Sequence, residues 1–270
     1  GARMRPIGIF DSGIGGLTVA RAVAEALPAH SIFYYGDTAH LPYGEKSPAL
    51  IRRYAAQITR ELMRMGCGSI VVACNSASSN ALDAIQAEAG ESTPVIDVVH
   101  PVVEAVAARF SEGQIGVIGT RATIDSNWYQ RLLKARGFDV VTKATPLLAS
   151  AIEAGFHGGE VSDALISAYF ESGEFHAVRA LILGCTHYPL VADQIGSALP
   201  DSVALVDSAE AAAQALKAVL HPLSDGPETT GERADRFMVS DLTTSFTLGA
   251  QRFFGQPVNL VEHKLPSANG

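Results

Sequence analysis

Seven short apolar runs constrain this chain more than any other feature: PIGIF, SIFYYG, SIVVAC, PVIDVV, IGVIG, ALILGC and VALVD. Each is rich in Val, Ile or aromatic residues and ends at turn formers. Such runs read as strands buried on both faces, the condition of parallel sheets covered by helices. Between them, LTVARAVAEAL, ALIRRYAAQITRELMRM and NALDAIQAEA carry apolar residues at helical spacing. This rhythm predicts an α/β fold with ligands at the C-terminal ends of the strands. The polar stretch His221 to Arg236 reads as a surface connection, and FMVSD, TTSFTLGAQRFFG and VNLVEHKL follow it as a last strand–helix–strand unit.

Composition narrows the function classes. With 270 residues, 47% of them hydrophobic, the chain can fill one large domain or two modest ones. A formal charge of −8 and a pI near 5.5 argue against nucleic acid as a partner, which would call for a basic patch. The nearest thing to one, Arg52, Arg53, Arg60 and Arg64, lies on a helical segment and reads as a solvated face. No apolar run reaches membrane-spanning length and the first residues lack the long apolar stretch of an export signal, so a cytoplasmic protein without a membrane partner is expected.

Three cysteines, Cys67, Cys74 and Cys185, form no CxxC pair and no zinc-like spacing, and are expected as free thiols. Cys67, between two glycines, reads as filler. Cys185 ends an apolar run in LILGCTHYPL, where Pro189 and the apolar spacing beyond it predict a helix start. A thiol at a helix N-terminus is pulled towards the thiolate. Burial statistics alone would make it structural.

A weak internal repeat changes that balance. IGIFDSG begins at Ile7 and IVVACNSAS follows roughly sixty residues later; IGVIGTRAT begins at Ile115 and LILGCTHY follows at a similar interval. If a pseudo-twofold axis relates the halves, Cys74 and Cys185 face one another across a cleft. Two facing thiols suit the inversion of a carbon acid's stereocentre, since one must remove a proton from one face while the other returns it on the opposite face. A reference pKa near 8.5 lets either thiol take either role. Asp11, Ser12, Asn75, Ser76, Ser78, Thr186 and His187, all at strand ends, are then candidates to hold a substrate ammonium or carboxylate, with Asp11 and His187 also catalytic candidates, Asp11 to assist a thiol and His187 as a proton helper beside Cys185. No lysine follows a phosphate loop as pyridoxal phosphate would need, although Lys46 stays open, and no ligand spacing suggests a metal. No cofactor is expected.

These segments, FDSGIGGLTV, YYGDTAHLPYGEKS, VVACNSAS and LILGCTHYPL, resemble the glutamate racemases of the aspartate/glutamate racemase superfamily. The resemblance implies cofactor-independent interconversion of L- and D-glutamate, with glutamate as the small-molecule partner, for peptidoglycan synthesis. It implies two doubly wound parallel-sheet domains with the active site in the cleft between them, residues 1–98 plus 207–270 and residues 99–206, and a homodimer. It places the catalytic thiols at Cys74, acting on D-glutamate, and Cys185, acting on L-glutamate. Asp11, Ser12, Tyr43, Gly44, Asn75, Ser76, Thr186 and His187 fall on substrate-binding positions, and Asp37 and Glu153 on auxiliary acids, with bracing of its loop as the alternative role of Asp37. Ser76 stands where threonine is more frequent, Ala144-Thr145-Pro146 lacks a common non-catalytic cysteine, and AGFHGGEVS is unusual.

Rival readings stay open. The same two thiols could racemise aspartate or another acidic amino acid. DSGIGGLT could serve a nucleotide- or partner-binding module, but it misses the third glycine of GxGxxG and no Walker lysine follows.

Overall fold

A computed structural model describes residues 4–220 and 233–266, so most of the polar connection from His221 to Arg236 lies outside the described residues. The strands are β1 (Ile7–Asp11), β2 (Ile32–Gly36), β3 (Ser69–Val72), β4 (Val95–Ile96), β5 (Gln114–Gly119), β6 (Asp139–Ala144), β7 (Ala180–Gly184), β8 (Ala204–Asp207), β9 (Arg236–Val239) and β10 (Leu260–Glu262). They form two parallel sheets, ordered β10-β9-β2-β1-β3-β4 and β6-β5-β7-β8. The fold is α/β, as expected. One expected strand is shorter than its apolar run: PVIDVV pairs only at Val95 and Ile96, because Asp97 turns to accept the N–H groups of Val99 and His100 at the next helix start.

The sheets repeat one plan. Ile7 pairs with Ser69 across β1 and β3, and Ile115 pairs with Ala180 across β5 and β7. Cys74 lies five residues beyond Ser69 and Cys185 five beyond Ala180 (74 − 69 = 185 − 180). Strand by strand, β2-β1-β3-β4 therefore matches β6-β5-β7-β8, and β9 and β10 extend the first sheet only.

Helices α1 (Leu17–Ala26), α2 (Pro48–Arg64), α3 (Asn75–Asn80) and α4 (Leu82–Ala89) accompany the first sheet, and α5 (Val99–Arg109) packs in the core of the second. Then come α6 (Arg121–Asp125), α7 (Trp128–Ala135), α8 (Pro146–Glu153), α9 (Glu160–Phe170), α10 (Ala192–Ser197), α11 (Ser208–Leu220) and α12 (Thr244–Phe254). Helix α2 shows how the sequence sets these elements. Ser47 caps it by accepting the Leu50 N–H at 3.3 Å, Pro48 opens it, and Ile51, Ala55, Ile58 and Leu62 bury one stripe. On its outer side Arg52 and Arg60 pair with Asp83 and Glu88 of α4.

Each sheet has a private core on one face: Ile51, Ile58, Leu62 and Ile70 in the first, Val102, Ile115, Val117 and Leu133 in the second. The other faces share one continuous core, in which Ile9, Leu17 and Val23 join Leu181, Leu183, Ala212 and Leu216. Burial at about 25 cal/mol per Å² of apolar surface makes this shared core the main hold on the relative position of the sheets. No helix among the described residues is long and apolar enough to cross a membrane.

Candidate active site

A cavity of about 470 Å³ opens where the C-terminal ends of β1, β3, β5 and β7 converge, and both Cys74 and Cys185 line it. Cys67 does not; it is buried against the private core of the first sheet. Of the sequence candidates, Asp11, Ser12, Tyr43, Gly44, Asn75, Ser76, Glu153, Thr186 and His187 also line the cavity.

Around Cys74 the environment is buried and anionic. Its Sγ accepts the Ala77 N–H at 3.4 Å, so the sulfur itself caps α3 where Asn75 or Ser76 would be the ordinary cap residues. Burial and the neighbouring Asp11 carboxylate push the Cys74 thiol up to about 12, against the pull of the Ala77 N–H and Ser12. Asp11 is held in place by the N–H groups of Gly16 at 2.8 Å and Gly13 at 3.3 Å. Burial raises its pKa too, opposed by the charge of His187 and by those N–H groups.

Around Cys185 the environment is a relay. His187 Nδ1 lies 3.6 Å from the Cys185 sulfur, and His187 Nε2 pairs closely with Glu153 of α8. Burial opposes a charge on the imidazole, but the thiol and the carboxylate outweigh it and hold the His187 pKa well above its ordinary value. The ring stands edge-on to Phe253 of α12, with centroids 5.3 Å apart. The helix start expected at Pro189 is instead a 3₁₀ turn, Tyr188–Val191, and α10 begins only at Ala192. The nearest titratable partner of Cys185 is therefore an imidazole.

Glycines let the halves meet. A Cβ on Gly15 would sit 2.6 Å from Thr186 Oγ1 and 2.8 Å from His187 Nδ1, and one on Gly44 would sit 2.5 Å from the Thr120 Cβ. The first half's two loops thus press their backbones against the second half's strand ends.

Tyr43 is fully buried and its hydroxyl donates to Asp37 Oδ2 at 2.5 Å. Asp37 itself does not line the cavity. It also accepts from Ser240 Oγ at 2.7 Å and pairs with His40 Nδ1 at 2.9 Å, contacts that brace the loop. Ser78 is likewise turned away, to the Val72 carbonyl and the Val98 N–H.

Two residues escaped the sequence reading. Thr120 lines the cavity and shares a hydrogen bond with Ser76 Oγ at 2.8 Å; it follows β5 where Ser12 follows β1, so the repeat held the signal. Tyr129 reaches Asn75 from α7, and nothing local marks it. Lys46 does not line the cavity, nor does any other lysine among the described residues, leaving no amine for a Schiff base there. No three His, Cys, Asp or Glu side chains among the described residues are grouped to hold a metal ion.

Two matched parallel sheets, each followed by a thiol beyond an equivalent strand, share one cavity. The family model for Asp/Glu/Hydantoin racemase matches residues 14–216, most of the chain, and the chain belongs to that family. It is 39% identical to the glutamate racemase of Geobacter metallireducens over 93% of each chain. It superposes on the glutamate racemase RacE1 of Bacillus anthracis with a TM-score of 0.91 at 32% identity, covering 98% of this chain and 99% of that one. A glutamate racemase from Francisella tularensis in complex with D-glutamate gives 0.87 at 34% identity, covering 97% and 98%.

Proposed function

We propose that this chain interconverts L- and D-glutamate by proton transfer between Cys74 and Cys185, supplying D-glutamate for peptidoglycan in the cytoplasm. The observation that carries the reading is that both thiols line one cavity, at equivalent ends of two matched sheets. For D-glutamate, the Cys74 thiolate takes the Cα proton, and the electron pair left on carbon delocalises into the α-carboxylate. The Cys185 thiol then donates its proton to the opposite face. L-glutamate reacts in the opposite sense, with the two thiols exchanging roles. No electron is gained or lost overall, and the proposed steps use only the two thiols.

The surroundings fit those roles. The substrate ammonium pairs with Asp11, which cancels the negative charge that, together with burial, keeps the Cys74 thiol protonated, and so eases its ionisation. His187, held by Glu153, moves the proton on and off Cys185. The Asn75 amide and the Ser12, Ser76 and Thr186 hydroxyls are polar groups available to the carboxylates, while Tyr43 and Gly44 close one wall. Division into residues 1–98 plus 207–270 and residues 99–206 belongs to the same proposal, as does a homodimer, which sedimentation velocity would check.

The deciding experiment incubates the purified protein with L-glutamate, and separately with L-aspartate, in D₂O without added cofactor. Loss of optical rotation with α-deuteration on glutamate is the expected result. Turnover of aspartate alone would move the assignment to the neighbouring substrate, and activity dependent on added metal or pyridoxal phosphate would overturn the two-thiol mechanism.

A further inference from the structure

Tyr129 is fully buried on α7 in the second half of the molecule, and its hydroxyl donates to Asn75 Oδ1, at the start of α3 in the first half, at 2.5 Å. The other end of that amide, Asn75 Nδ2, is buried, has no partner within the protein, and belongs to a residue that lines the cavity. The orientation of an asparagine amide follows from its hydrogen bonds. The Tyr129 hydroxyl donates to the amide oxygen, and burial together with the charges of Asp97, Asp207 and Cys185 raises its pKa, so the phenol keeps the proton it donates. With the oxygen taken by Tyr129, the NH₂ is the end of the amide left without a partner. A buried NH₂ left unpaired costs free energy until an acceptor meets it.

We propose that Tyr129 is a positioning residue: it locks the Asn75 amide with its NH₂ facing the cleft, so that Asn75 can only donate and the group it meets must be a carboxylate oxygen of the substrate. This rests on the reading of the cavity as an acidic amino-acid site. The restraint comes from the opposite half, so the amide is aligned only while the halves are together. Tyr129 touches no reacting atom.

The test is a double-mutant cycle on the full chain, following racemisation in both directions. Tyr129→Phe keeps the ring and removes the donor; KM should rise about threefold to tenfold, the range for one neutral hydrogen bond, with kcat changed less than KM. Asn75→Ala should raise KM by more. Adding Tyr129→Phe to Asn75→Ala should then change KM by less than about twofold, because Tyr129 acts only through that amide. An undiminished effect of Tyr129→Phe in the Asn75→Ala background overturns the inference.

Asn75→Asp asks the same question with Tyr129 intact, which covers the case of a Tyr129→Phe protein that does not fold. It puts an anionic oxygen where the NH₂ faces the cleft, and kcat/KM should fall about a hundredfold or more through like-charge repulsion. A mild effect would mean that the oxygen faces the cleft already, and the inference fails. Failure of the underlying functional reading looks different, because the unaltered chain would then be inactive on acidic amino acids.

Discussion

Cys74 and Cys185 occupy equivalent positions beyond β3 and β7, yet Cys74 sits beside a buried carboxylate that raises its pKa, whereas Cys185 sits beside an imidazole gripped by Glu153. The backbone repeats while the electrostatics do not. The difference follows the substrate. An amino acid presents its ammonium, carboxylate and side chain to different walls of the cleft, so a site symmetric in its proton carriers has to be asymmetric in everything that holds the substrate. Because the two enantiomers are equal in free energy, kcat/KM is the same in both directions for every variant. Inequality between the thiols is therefore visible in kcat alone or in half-reactions.

The largest effect should come from removing either thiol. Cys74→Ser and Cys185→Ser should each lower racemisation by at least about a thousandfold, since a hydroxyl is far too weak an acid to share the proton. With an analogue bearing a β leaving group, where abstraction alone triggers elimination, Cys74→Ser should process only the L-form and Cys185→Ser only the D-form. If both variants prefer one enantiomer, the thiols do not flank the substrate.

Next in size is the relay. His187→Asn should reduce turnover about a hundredfold and impair elimination from the L-analogue more than from the D-analogue, because of the two cavity thiols His187 bonds only that of Cys185. Equal impairment would erase the contrast between the two sides. Glu153→Gln sharpens the point through pH. A histidine whose pKa is raised by folding adds stability that is full below its unfolded value near 6.5 and is lost as pH rises through the folded value. The melting-temperature gap between parent and Glu153→Gln should therefore be widest at mildly acidic pH and narrow as the pH rises.

Asp11→Asn should separate reactivity from catalysis on the Cys74 side. Without the neighbouring charge the Cys74 pKa should fall, and alkylation of Cys74 at fixed alkaline pH should accelerate. Racemisation should nonetheless drop about tenfold to a hundredfold as the ammonium loses its partner. Slower alkylation would mean that Asp11 does not act on Cys74. The smallest effect belongs to Cys67→Ser, which should keep parental turnover while losing some stability, since burial also pushes that thiol up to about 12 without bringing it to the cavity.

Much of this was legible in the sequence for a definite physical reason. Strands buried on both faces cannot hide their apolar runs, and a repeat that places cysteine after two such runs names both thiols. β6 was missed because it is an edge strand with Asp139 exposed and the rest of its residues only partly buried, so DVVTKA lacks a continuous apolar signature. Asp37 stood at a strand end like Asp11, but strand-end position does not fix side-chain direction, and Tyr43, His40 and Ser240 turn it away from the cavity. Tyr129 was invisible because its partner is 54 residues away on the other half. Contacts across the cleft depend on how two halves dock, which no local pattern encodes.

The matched strand orders also bear on how the two flanks of the cavity can change. Two copies of a half-length progenitor meeting on a twofold axis would already place one thiol on each flank of a shared pocket, because an isologous contact presents every residue twice. Such an assembly cannot specialise, since each mutation appears on both sides. A single chain lifts that restriction, and the register shows where its halves differ: Asp11 stands opposite Gly119 in the repeat, and His187 opposite Ser76. One chain thus carries two addresses that mutation can reach separately, each able to meet a different part of the same small molecule.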